Sequence, residues 1–179
     1  MDAVLVCTER VGLGGFTIED VAVEAGVSRA TIYRHFAGGR DQLMHDAIAR
    51  ELGRFWSELA DEVAGVGSLE GRLVAGLMAA NRRIADHHLL QKLLSSEPEQ
   101  LLPSLFESES IVDVFLRDYL GQMLTREQLR AGVDRDEAAD YLARMLVIYM
   151  GSHGRWDFTD EVEVRRLVRT QFLAGVVAE

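Results

Sequence analysis

Apolar residues recur along most of the chain at the spacing of a buried helix face. Ile18, Val21, Ala22 and Ala25 fall at i, i+3, i+4 and i+7. Ala138, Leu142, Met145, Leu146 and Tyr149 repeat that period between Asp134 and His153, as do Val164, Leu167, Val168 and Phe172 between 161 and 178. No Asn-Gly or Asp-Gly hairpin signal separates alternating runs, and the two prolines, Pro98 and Pro103, flank one short stretch. The pattern predicts an all-α chain of about nine helices. Ser96 with Glu99, Thr125 with Gln128, Asp134 with Glu137 and Asp160 with Glu163 have the spacing of capping boxes and predict helix starts. The stretch "AGVGS" at 64–68 interrupts a long amphipathic run and places a domain junction there, dividing the chain into 1–64 and 65–179.

The segment around residue 26 can be built from local physics. Thr17 is a helix N-cap with Glu19 and Asp20 in the first turn, where the helix dipole favours negative charge. Gly26 ends that helix after about two turns in a left-handed conformation. Ser28 caps the next helix almost at once, with Val27 and Ile32 positioned as a hydrophobic staple. Two short helices therefore meet at a tight turn. On the second, Ile32 and Phe36 face inward, which leaves Ala30 and Arg34 outward with Thr31 and Tyr33 on the flanks.

Charge sharpens this picture. The 179-residue chain is 48% hydrophobic and carries a formal net charge of -10, which opposes indiscriminate nucleic-acid binding. Yet "AGVSRATIYRHFAGGR", residues 25–40, holds Arg29, Arg34 and Arg40 and no acid. Small residues let a backbone approach base edges, hydroxyls bind phosphate, and arginine grips guanine or phosphate through two nitrogens. The acid-free window is thus expected to be a DNA-reading surface. The lone Cys7 fits a reducing compartment, and neither a membrane span nor a secretory signal is evident, so a cytoplasmic protein is expected.

The residues "GFTIEDVAVEAGVSRATIYRHFAGGRDQL", 15–43, resemble the helix-turn-helix signature of TetR-type (tetracycline-repressor-like) transcriptional regulators. Thr17, Ala22, Ala25-Gly26-Val27-Ser28, Thr31-Ile32-Tyr33, Phe36, Arg40 and Leu43 stand in the expected order. The resemblance implies an all-α homodimer, with a three-helix DNA-binding domain in 1–64 and a ligand-binding and dimerisation bundle in 65–179. It makes Thr17, Ser28, Thr31, Tyr33 and His35 contacts to DNA backbone or bases, and the outward face adds Ala30 and Arg34; Arg29, whose direction on the wheel leans towards the core side, is either a further contact or a solvated charge. Arg40 occupies the place of a phosphate-binding lysine in the family. Ala37-Gly38-Gly39 is one residue longer than the commoner form and has glycine where serine or asparagine would cap the next helix, which makes displacement of Arg40 an expectation. The residues begin at Asp2-Ala3-Val4, inside the family's first helix and without a basic arm; if that start is native a shallower salt dependence than usual is expected, the alternative being a trimmed or partly ordered version.

The implied partners are a palindromic double-stranded operator, a second copy of the chain and a small-molecule effector, with repression as the commoner mode. Arg82, Phe106, Phe115, Tyr119, Met145 and Tyr149 are the candidates for an effector pocket, aromatic and thioether groups giving an apolar cavity and Arg82 an anion partner. No cofactor is expected. The adjacent pair His87-His88 points about 100° apart on a helix and makes a poor metal site. No nucleophile with its base, Gly-rich phosphate loop or di-iron Glu-x-x-His pair suggests an enzyme. The rival readings are a helical interaction protein and a DNA binder without an effector.

Overall fold

Three helices and two caps make the N-terminal part of the computed structural model, which describes residues 1–101 and 109–178. Helix α1 (Asp2–Val11) leads to α2 (Ile18–Ala25), where the Thr17 hydroxyl accepts the Asp20 N–H and the Asp20 carboxylate accepts the Thr17 N–H at 2.8 Å. Gly26 ends α2 at φ 66° in the left-handed region. The Ser28 Oγ then accepts the Thr31 N–H at 3.1 Å and starts α3 (Arg29–His35). Predicted caps and observed caps coincide here, because each is satisfied by groups within four residues. Of the α2 stripe, Ile18, Val21 and Ala22 are buried, whereas Ala25 is exposed because the helix ends beside it.

A long helix α4 (Gly39–Val63) stops at the predicted break, and α5 (Leu69–Asp86) follows. Beyond lie α6 (His88–Ser96), α7 (Glu109–Leu124), α8 (Arg135–Gly151) and α9 (Glu161–Leu167), the last continuing as a π-helical turn, Val168–Leu173. Among the described residues no strand forms. One isolated bridge joins Leu129 to Val177, closed by Ala178 N–H to the Gln128 carbonyl at 2.9 Å. No helix among those described is long and apolar enough to cross a membrane.

Two of the predicted helix starts are corrected. Ser96 is the last residue of α6 and its hydroxyl donates back to the Lys92 carbonyl, while Thr125 follows the end of α7 and donates to the Gln122 carbonyl. Serine and threonine hydroxyls satisfy the last turn of a helix as readily as the first, and spacing to an acid does not distinguish the two. Asp134 and Asp160 do cap α8 and α9.

The chain gathers into two compact units, Met1–Arg54 with His87–Glu109, and Phe55–Asp86 with Ser110–Glu179. In the first, Val4, Cys7, Phe16, Val21, Ile32 and Leu43 share one core, and Leu13, Leu93 and Leu101 form a smaller cluster beside it. Helix α6, which follows the "AGVGS" break in sequence, belongs to this unit. The second unit is centred on fully buried Leu77, Leu120, Leu142, Leu167, Val168 and Phe172. Within it Glu70 of α5 pairs with Arg165 at 2.8 Å and Arg169 at 2.9 Å, and Glu62 pairs with Arg82 at 2.6 Å and Arg83 at 2.9 Å.

Candidate nucleic-acid interface

Helix α3 buries one side and presents the other. Ile32 is 5% exposed and Phe36, its C-cap, packs against the same core. Arg29, Ala30, Tyr33, Arg34 and His35 are exposed and Thr31 is half-buried. Six of the expected contact residues thus come together on seven residues of helix. The first turn of α3 contains no acid. The nearby acids of α2 are held by arginines: Glu24 by Arg10 at 2.8 Å, and Glu19 by Arg29 at 3.5 Å. Arg34 makes no ion pair among the described residues, so its charge is available to an external anion. Arg29, whose direction sequence alone leaves open, is solvent-exposed.

Thr17 and Ser28 serve the fold as well as the surface. Besides accepting a backbone N–H, the Thr17 hydroxyl donates to Asp20 at 2.7 Å, and Ser28 Oγ lies 3.0 Å from the Thr31 hydroxyl. These bonds fix the entry of both helices. Hydrogen bonding from Thr17, side chain first and backbone second, holds the Asp20 carboxyl below its ordinary value.

Arg40 is turned to the loop between α1 and α2. Its Nε donates to the Phe16 carbonyl at 3.0 Å, a terminal nitrogen donates to the Leu13 carbonyl, and the guanidinium lies 4.7 Å from the Phe16 ring centroid. The same loop is gripped from α6: the Glu97 carboxylate, at the C-cap, accepts the Leu13 N–H at 2.9 Å and the Gly14 N–H at 3.3 Å. A β-carbon on Gly12, at φ 82°, would sit 1.9 Å from Glu97 Oε1 and would have to displace that carboxylate. Lys92 adds a bond to the Glu9 carbonyl at 2.5 Å. Sequence reasoning did not find Glu97 or Lys92, since both partners lie more than 80 residues away and leave no periodic trace. The long Ala37-Gly38-Gly39 turn is closed by Gly39 N–H to the Phe36 carbonyl at 2.9 Å, and Gln42 Oε1 accepts the Gly38 N–H in place of a serine cap.

Residues 1–47 match the family described as bacterial regulatory proteins, tetR family. The match covers the helix-turn-helix segment, about the first quarter of the chain. The fold of the whole chain agrees: FadR, a fatty acid degradation regulator from Bacillus halodurans, is 17% identical with a TM-score of 0.59, over 95% of this chain and 96% of its own. SmeT, repressor of the Stenotrophomonas maltophilia multidrug efflux pump SmeDEF, is 21% identical with a TM-score of 0.58 over 99% and 88%. FadR from Bacillus subtilis in complex with stearoyl-CoA is 16% identical with a TM-score of 0.57 over 94% and 95%. No curated protein sequence matches the chain.

In the second unit, an apolar cavity of about 40 Å³ opens among α4, α5, α7 and α8. Phe115 and Tyr119 line it, their rings stacked at 6.2 Å with planes 7° apart. The other pocket candidates lie elsewhere. Arg82 is exposed and bound to Glu62, Tyr149 packs on Phe158 and Phe172, Met145 does not line the cavity, and Phe106 lies outside the described residues. The remaining wall, including Trp56, Leu59, Leu73, Met123, Leu146 and Met150, is indistinguishable from ordinary core in the sequence, since cavity lining and core share one periodicity. His87 of the adjacent histidine pair is the N-cap of α6, its Nδ1 accepting the Leu90 N–H at 3.1 Å.

Proposed function

We propose that the protein is a homodimeric transcriptional regulator that sets α3 in the major groove of a palindromic operator and is released by a small-molecule effector. The observation that carries the reading is the exposed, acid-free face of α3, with Arg34 unpaired among the described residues, Glu24 and Glu19 of α2 matched by Arg10 and Arg29, and Asp20 held in the Thr17 cap. In the complex Arg34 and Tyr33 reach bases or phosphates, Thr31 and His35 flank them, and Ala30 lets the backbone approach. Ser28 and Thr17, at their helix starts, face phosphates while holding the caps. Arg40 acts by bracing the loop that seats α2.

Dimerisation is assigned to outward faces of the second unit, because the stripes of α8 and α9 are consumed by its own core. Tyr141, Arg144 and Ile148 lie at i, i+3 and i+7 on the outer face of α8, with Ile148 60% exposed. Two-fold symmetry then places paired recognition helices about 34 Å apart, one turn of DNA. A neighbour of the same fold carries stearoyl-CoA, which supports a small-molecule effector in the helical bundle. Effector and operator each weaken the other's binding by the same factor.

Fluorescence anisotropy on a selected operator tests the reading with Arg34→Ala and Tyr33→Ala, both at exposed positions. Each is expected to weaken specific binding by about 1–3 kcal/mol per half-site with the fold intact. Unchanged operator affinity in both variants contradicts it.

A further inference from the structure

The cavity of the second unit contains one group that the fold leaves unsatisfied. The Tyr119 hydroxyl is buried and has no hydrogen-bond partner among the described residues, although its ring is held in place against Phe115. A buried hydroxyl without a partner is unfavourable, and in a native structure it marks a place where a missing group belongs. Tyr119 stands where two spaces meet. On one side is the apolar cavity of about 40 Å³, walled by Trp56, Leu73 and the thioethers of Met123 and Met150. On the other is a wider cleft of about 340 Å³, lined by Asp61, Gln122, Arg126 and Glu127 among others. Tyr119, Met123, Ala60 and Arg72 line both.

Charge in the cleft is balanced, Arg72 and Arg126 against Asp61 and Glu127. Arg72 is further committed, donating to the Val66 carbonyl at 2.6 Å and to the Ala64 carbonyl at 3.2 Å. Of these cations only Arg72 also lines the small cavity, and an ionised carboxylate drawn to that apolar end would lose hydration with no uncommitted cation beside it. The small cavity admits only the end of a ligand, and methionine walls adapt to its shape. The remainder of the ligand must lie in the cleft.

Building on the reading of the chain as a ligand-responsive regulator, we propose that its effector is an uncharged, largely apolar molecule. One oxygen, of the alcohol or carbonyl class, pairs with the Tyr119 hydroxyl, and an apolar end enters the cavity beside Trp56. Tyr119 is the residue that selects for that oxygen.

The test uses 1-decanol and decanoate as probes of matched length, on the full chain carrying Trp156→Phe so that Trp56 is the reporting indole. 1-Decanol is expected to raise the Tm and change the Trp56 fluorescence, with decanoate binding at least tenfold more weakly. Tyr119→Phe is expected to raise the Tm of the free protein, by removing the unpaired hydroxyl, and to weaken 1-decanol binding at least fivefold. A merely structural tyrosine would not couple a gain in stability to a loss of binding. Equal 1-decanol affinity in Tyr119→Phe, tighter binding of decanoate, or no binding of 1-decanol overturns the proposal. Operator anisotropy separates the two readings: Tyr119-dependent 1-decanol binding that leaves operator affinity unchanged supports the ligand class and overturns the regulatory reading. Operator release by decanoate, undiminished in Tyr119→Phe, does the reverse.

Discussion

At the scale of single residues, the arginines of the 25–40 window divide by what they touch. Arg34 has no internal partner among the described residues, Arg29 leans on Glu19, and Arg40 is spent on two backbone carbonyls and the Phe16 ring. Sequence alone groups them, because all three share charge and neighbourhood. Their roles separate only through contacts with residues 10 to 27 positions away. Arg40→Lys is therefore not conservative: an ammonium cannot reproduce the forked donation to Phe16 and Leu13. With Arg40 only 30% exposed, the change is expected to lower stability by about 1–2 kcal/mol in urea titration, while Arg34→Lys leaves it within experimental error. Equal stability of Arg40→Lys and the parent protein would show that the brace contributes nothing.

Elements were legible where their ends are satisfied locally. The caps at Thr17, Ser28, Asp134 and Asp160, the Gly26 stop and the break after Val63 all follow from residues within a turn of one another. Ser96 and Thr125 misled for the complementary reason, since a hydroxyl at a helix end carries the same local signature. What joins α6 to α1 and its following loop could not be read, because Glu97 and Lys92 bond to backbone groups whose side chains are irrelevant to the contact. These bonds make the position of α6 part of the helix-turn-helix unit itself. Glu97→Gln keeps the size and one acceptor but removes the charge that strengthens bonds to the Leu13 and Gly14 amides. It is expected to increase hydrogen exchange at those two amides and to lower operator affinity several-fold, with α3 exchange changed less. Unaltered exchange at Leu13 and Gly14 would remove Glu97 from the account.

Across the whole molecule, acidity and the exposed, acid-free face of α3 coexist through pairing. The carboxylates with depressed values include Glu62, held down first by hydrogen bonding from Arg83, and Glu70, held down first by Arg169 and then by Arg165. Glu70 titrates below the ordinary 4.5 when folded, so its contribution to stability is complete above that pH and disappears as the pH falls through its lower folded value. Glu70→Gln is expected to flatten the acid side of the Tm profile below pH 4.5, with only a small loss at pH 7 because the carboxylate is 25% exposed and screened by water. An acid limb as steep as that of the parent protein would place the pH sensitivity elsewhere. The fold class and the helix-turn-helix were legible because that geometry is compressed into one short segment. The apolar cavity was legible only at Phe115 and Tyr119, since its other walls are ordinary core residues until the helices assemble.

The account stands on α3 reading DNA. The measurement that tests this most directly is a genome-fragment selection with the purified protein, followed by a salt titration on the best site. We predict one enriched palindrome with half-sites about 10 base pairs apart, and log affinity falling linearly with log salt at about 0.9 per neutralised phosphate. The Tyr33→Ala and Arg34→Ala double variant should lose that site. Selection of no common sequence, or a site retained undiminished by the double variant, contradicts the central claim.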